Sequence, residues 1–137
     1  MLSQLQEGYL EEISQEGDTL NIKVECKHIA QQIDPAYQYF YVVIKGTKGV
    51  YFLPWDDEDM QIDSLKELQL FKPDILNVEC IDNEYVKIYS NCEHVYSGGC
   101  IYIRASDILI FDEALNKLKL KELEVLSDKF WLSADKV

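Results

Sequence analysis

The stretch Leu20-Asn21-Ile22-Lys23-Val24-Glu25-Cys26 alternates apolar and polar residues without a break. Successive side chains of a strand point to opposite faces, so Leu20, Ile22, Val24 and Cys26 read as the buried side of a strand whose other side is wet. One-sided burial of this kind belongs to antiparallel sheets, and it sets the expected fold class. On the N-terminal side, residues 9–14 form a shorter run. Glu16-Gly17-Asp18 then supplies the turn that folds the two runs into a hairpin.

Residues 37–45 are almost wholly β-branched or aromatic, and residues 50–55 match them across Gly46-Thr47-Lys48-Gly49. Two glycines in four residues suit a tight connection, so this reads as a second hairpin. Being apolar on both faces, its strands are expected in the centre of the sheet, with Pro54 ending the second. Asp63 or Ser64 can cap a short helix through Phe71, with Leu65 and Leu68 inward. Residues 75–81, 85–89, 100–104 and 108–111 read as four further strands. From Asp112-Glu113 the chain turns helical, with Leu120, Leu123, Leu126 and Phe130 at spacings of three and four. Residues 132–137 are expected to fray. The expectation is one α+β domain over residues 1–137, with a dominant antiparallel β-sheet built from hairpins, a short middle helix and a C-terminal helix.

Residues 20–29 can be laid on residues 86–95 without a gap, which sets Cys26 on Cys92 and His28 on His94. Further on, residues 52–57 resemble 108–113, and Leu65-Lys66-Glu67-Leu68 recurs as Leu120-Lys121-Glu122-Leu123. The matches keep their order, so a weak internal repeat of residues 8–71 and 74–126 is one reading, with the second copy shorter around residues 46–49. The alternative is that β-rich chains reuse the same alternation.

The 137 residues carry 25 acids against 13 bases, a formal charge of −12. A surface so acidic repels phosphate backbones and anionic lipid heads and attracts cations, so the expected partner is a basic protein surface, with no nucleic acid and no membrane. The excess is uneven: 13 acids and 5 bases in residues 1–68, 12 and 8 in residues 69–137. The N-terminus has no basic n-region and the chain no long apolar run, so a cytoplasmic protein with its four cysteines reduced is expected.

No phosphate loop, G-x-S-x-G elbow or H-E-x-x-H is present, and the expectation leans away from an enzyme. The acidic run Asp56, Asp57, Glu58 and Asp59 lacks the spacing of a calcium loop and reads as a solvated loop or part of a docking face. Tyr39 and Tyr41 fall on one side of their strand and, with Trp55, are binding candidates if that side is open. The lone arginine, Arg104, is expected to meet a carboxylate, with Asp107 and Asp112 as candidates. Cys26-x-His28 and Cys92-x-His94 would each present a thiol and an imidazole on one strand face. Brought together, they form a weak zinc set of atypical spacing, and no cofactor is otherwise expected.

Three functional readings remain. The first is a non-catalytic acidic protein–protein interaction module, such as an inhibitor or immunity-type protein for a basic partner. The alternatives are a small-ligand-binding β-rich domain with a Tyr/Phe-lined pocket, and a zinc-dependent or Cys–His enzyme.

Overall fold

The computed structural model describes residues 2–47, 49–57, 59–81, 85–92 and 98–134. After a short 3-10 helix (Leu2–Leu5) the order is β1 (Tyr9–Glu16), β2 (Thr19–Glu25), α1 (Lys27–Ala30), β3 (Tyr39–Lys45), β4 (Val50–Pro54) and α2 (Leu65–Leu70). Then follow β5 (Asn77–Ile81), β6 (Tyr85–Asn91), β7 (Gly98–Arg104), β8 (Asp107–Phe111), β9 (Lys117–Leu118) and α3 (Leu120–Ala134). All strand pairings are antiparallel. The class is α+β, dominated by two sheets, with a short middle helix and a C-terminal one.

Sheet A has the order β1-β2-β3-β8-β9 and sheet B the order β4-β7-β6-β5. The first hairpin forms as its turn requires, with Gly17 at φ 60° and Glu16 opposite Thr19. The second does not form. β3 and β4 lie in different sheets, so the chain passes from one sheet to the other between them rather than making a hairpin turn. β7 and β8 make the same passage alongside, with Lys45 opposite Asp107 before it and Val50 opposite Ile103 after it. The ribbon stays bonded there: Ser106 N donates to Lys45 O at 2.9 Å and Arg104 N to Gly49 O at 3.3 Å. Gly46 has φ 70° and faces Ser106 so closely that a Cβ would overlap the hydroxyl. β3 is central in its sheet, as expected, whereas β4 is an edge strand, paired with β7 on one side and bridged from Phe52 to Ile62 on the other.

The sheets meet at a second seam. Tyr9 bridges Asp74, Glu7 N donates to Ile75 O at 2.7 Å, and Ile75 N returns a bond to Gly8 O at 2.8 Å. Between the seams lies the core. The register aligns Ile13, Ile22, Val42, Ile110 and Leu118 across sheet A, and Val78, Ile88, Ile101 and Phe52 across sheet B. Both rows belong to one apolar cluster, which period-two alternation in each strand places on one side of each sheet.

Ser64 caps α2, its Oγ accepting from Glu67 N at 3.3 Å. α2 lies against β1, where Gln69 Oε1 accepts from Ile13 N at 3.1 Å and so satisfies an edge-strand donor. α3 begins at Leu120 rather than at Asp112-Glu113, because Asp112 holds a turn and Lys117–Leu118 pair with β8 as β9. It runs further than expected, to Ala134, and buries Leu123 completely while packing on α1 and the N-terminal 3-10 helix. Among the described residues no helix is long and apolar enough to cross a membrane.

Exchanging the two halves leaves the strand order unchanged: β1-β2-β3-β8 in sheet A matches β5-β6-β7-β4 in sheet B. Each half ends in a helix, α2 or α3. The largest length difference lies between the second and third strands, residues 26–38 against 92–97, where the first half carries α1. It does not lie mainly at residues 46–49.

Candidate functional site

The outer face of sheet A is built by register. Glu12 stands opposite Lys23, Lys23 opposite Tyr41, Tyr41 opposite Phe111 and Phe111 opposite Lys117, giving one row across five strands. The next row is Ser14, Asn21, Val43 and Leu109. Because the alternate positions fill the core, these side chains stand on the outside. Glu12, Lys23, Tyr41 and Phe111 of the first row and Ser14, Asn21 and Val43 of the second, together with Leu115, which is 65% exposed, line an open groove of about 440 Å³. Tyr41, Val43, Phe111 and Leu115 supply its apolar side, and Glu12, Ser14, Asn21 and Lys23 its polar side. Lys23 Nζ sits 4.1 Å from the Tyr39 ring centroid, a cation–π contact that fixes the lysine beside the groove.

Of the predicted binding residues, Tyr39 and Tyr41 therefore share this face. Trp55, Asp56, Asp57 and Asp59 do not. They follow β4 at the end of sheet B, where Trp55 N donates to Gly98 O at 3.0 Å and the indole covers Gly98. Asp57 turns the loop on itself: its Oδ1 accepts from Asp59 N at 3.3 Å and its carbonyl from Met60 N at 3.2 Å. Glu58 lies outside the described residues. The acidic loop and the tyrosines are thus two separate features. Sequence reasoning missed Phe111 and Leu115, whose part depends on β8 pairing with β3, more than 60 positions away in the chain.

The first Cys–His pair is not on a strand. β2 ends at Glu25, Cys26 precedes α1, and His28 is helical, so the same-face argument for a strand does not apply. The two groups still touch, Cys26 Sγ lying 3.6 Å from His28 Nε2. That nitrogen is also 3.2 Å from Gln6 O, and the imidazole packs on Phe130 with ring centroids 4.7 Å apart. Burial pushes the Cys26 thiol up to about 12, and burial followed by the negative charge of Asp74 pushes Cys92 up to about 11. Both are protonated thiols at neutral pH, whereas a cysteine nucleophile acts as the thiolate. His94 lies outside the described residues, and among those described no three His, Cys, Asp or Glu side chains gather in a metal-sized group.

Arg104 meets neither candidate carboxylate. Its guanidinium lies over the Tyr85 ring, 5.9 Å from the centroid. Asp107 accepts from Ile108 N at 2.9 Å. Asp112, 4% exposed, holds the turn after β8 by accepting from Asn116 N at 2.8 Å and Asn116 Nδ2 at 3.3 Å. Among the described residues the one ion pair is Lys27–Glu25, at 3.4 Å. The acids Glu11, Glu12, Glu16 and Asp18 of the β1–β2 hairpin form no ion pair among the described residues.

No protein-family model, no curated protein and no solved structure matches this chain.

Proposed function

We propose that the protein is a non-catalytic acidic interaction module, of the inhibitor or immunity type, that docks a basic partner on the outer face of sheet A. The observation that carries this reading is the groove of Tyr41, Val43, Phe111 and Leu115 beside a hairpin whose Glu11, Glu12, Glu16 and Asp18 form no ion pair among the described residues. Aromatic anchors supply the contact energy of an interface, and unpaired acids at its rim steer a cationic partner toward it. Free cysteines at positions 26, 92 and 100 support action in a reducing compartment. The matching strand order of the two sheets supports a single domain made of two related modules, residues 8–71 and 74–126.

The groove also supports a second reading, a small-ligand site, since its volume is within the range of ligand pockets. A titration separates the two. A blocked peptide of alternating lysine and leucine is expected to bind with an affinity that drops steeply with salt, and Glu12→Lys and Tyr41→Ala should each weaken it at least about fivefold. Binding indifferent to both substitutions would refute docking on this face. Saturable binding of an uncharged aromatic compound in the groove, with none of the peptide, would favour the small-ligand reading.

A further inference from the structure

Sheet B has an outer face of its own, with a different character. The register places Glu79, Lys87, Tyr102 and Tyr51 in one row, and Tyr85 opposite Arg104 in the next. Tyr51 and Tyr102 are stacked, with centroids 5.0 Å apart and planes 13° apart. Lys87 Nζ lies 4.6 Å from the Tyr89 centroid and 5.4 Å from that of Tyr102. Arg104 lies over Tyr85, and Tyr89 donates its hydroxyl proton to Glu79 at 3.1 Å. In a chain with nearly twice as many acids as bases, these two cations rest on phenol rings rather than on carboxylates.

We propose that this face docks an extended polypeptide segment carrying two carboxylates, one for Lys87 and one for Arg104. Three observations lead there. First, among the described residues neither cation has a carboxylate within ion-pair distance, and both lie against phenol rings, a weaker contact than a carboxylate would give them. The ammonium of Lys87 is also held above the usual lysine range by hydrogen bonding to Tyr89 and then Tyr102. Second, their spacing suits a strand. Lys87 is opposite Tyr102, and Arg104 lies two residues further along the same strand. That diagonal separation is about 7–8 Å, close to the ~7 Å between alternate side chains of an extended chain. Third, Tyr and Arg are the residues most enriched at the energetic centres of protein interfaces, and four tyrosines surround the two cations here.

The charge count decides against the other anionic partner. A nucleic-acid strand brings one charge per nucleotide into the field of a chain at −12, and two cations cannot offset a run of phosphates. A segment with two carboxylates brings only what Lys87 and Arg104 neutralise.

The test uses the full chain and a blocked peptide of alternating threonine and valine with glutamates at two successive same-face positions. The same peptide with glutamines and an oligothymidylate of similar length serve as comparison probes. Shifts of the Tyr85, Tyr89 and Tyr102 ring resonances report the face, and Lys87→Met and Arg104→Met, with unfolding curves to verify the fold, report the cations. The glutamate peptide is expected to move these resonances and to bind about fivefold more weakly to each variant. The glutamine peptide should bind at least as weakly as that. Equal binding of both peptides, or no shift on this face, would overturn the proposal. So would an oligothymidylate that shifts Tyr51 and Tyr102 where the peptide does not. Docking on sheet A involves none of these residues, so the two readings fail separately.

Discussion

Replacing Gly46 tests the corner that joins the sheets. Gly46→Ala has two costs. At φ 70° an L-residue costs roughly 1–2 kcal/mol. The new methyl also overlaps the Ser106 hydroxyl and approaches its Cβ within 2.9 Å, and overpacking of this kind costs about 1–3 kcal/mol. The total is about 2–5 kcal/mol, an appreciable part of the ~5–15 kcal/mol that holds a domain together. Ser106→Gly alone removes the exposed bond from Ser106 Oγ to Lys45 O at 3.0 Å, worth about 1 kcal/mol, plus a smaller backbone-entropy cost. Combined with Gly46→Ala it also removes the obstruction, leaving only the φ cost. The four proteins form a double-mutant cycle read by urea unfolding, with an expected coupling of about 1–3 kcal/mol in favour of the pair. Additive costs within about 0.5 kcal/mol would refute the close approach of β3–β4 to β7–β8 at this corner.

Three further outcomes are expected. Gln69→Ala should leave the Ile13 amide without its acceptor, cost about 0.5–1.5 kcal/mol, and accelerate hydrogen exchange at Ile13 above that of neighbouring β1 amides. Leu123→Ala should cost about 2–5 kcal/mol, because the side chain is fully buried, and should red-shift the emission of Trp131 on α3, which packs against Phe130 and against His28 of α1. The third concerns alkaline stability. The Cys26 thiol is raised from 9.0 to about 12 by burial. Above pH 9 the unfolded chain therefore loses this proton more readily than the folded one. Its stabilising contribution is whole below pH 9 and lost as pH rises toward 12, so Cys26→Ala should flatten that part of the stability profile. An unchanged slope between pH 9 and 11 would count against a buried neutral thiol.

Local signals made much of the fold legible. The alternation in β2, the Glu16-Gly17-Asp18 turn, the Ser64 cap and the leucine spacing of α3 each act within a few residues, and each element appears where those residues place it. The passage between β3 and β4 was not legible, because glycines between two apolar runs are equally good for a hairpin and for a bend. What decides is the pairing of Tyr51 with Tyr102 and of Lys45 with Asp107, contacts between distant segments that no local pattern encodes. The placement of Cys26 and His28 on one strand failed for a related reason. The alternation of β2 carries on to Cys26, but the chain turns into α1 there so that Ile29 and Ala30 can enter the core. Tyr39 and Tyr41 were visible as one face of a strand. Phe111, Leu115 and the cation–tyrosine rows of sheet B needed the sheet order, which a single sequence does not contain.

The central claim is that sheet A docks a basic partner through the row Glu12, Lys23, Tyr41 and Phe111. The most direct test is a two-dimensional amide and ring NMR titration with the lysine–leucine peptide, repeated at about 0.05 and 0.3 M salt. The account predicts shifts confined to β1, β2, β3 and β8 around the groove, with affinity falling as salt rises. Shifts scattered over all acidic surfaces, or centred on Asp56, Asp57 and Asp59, would contradict it.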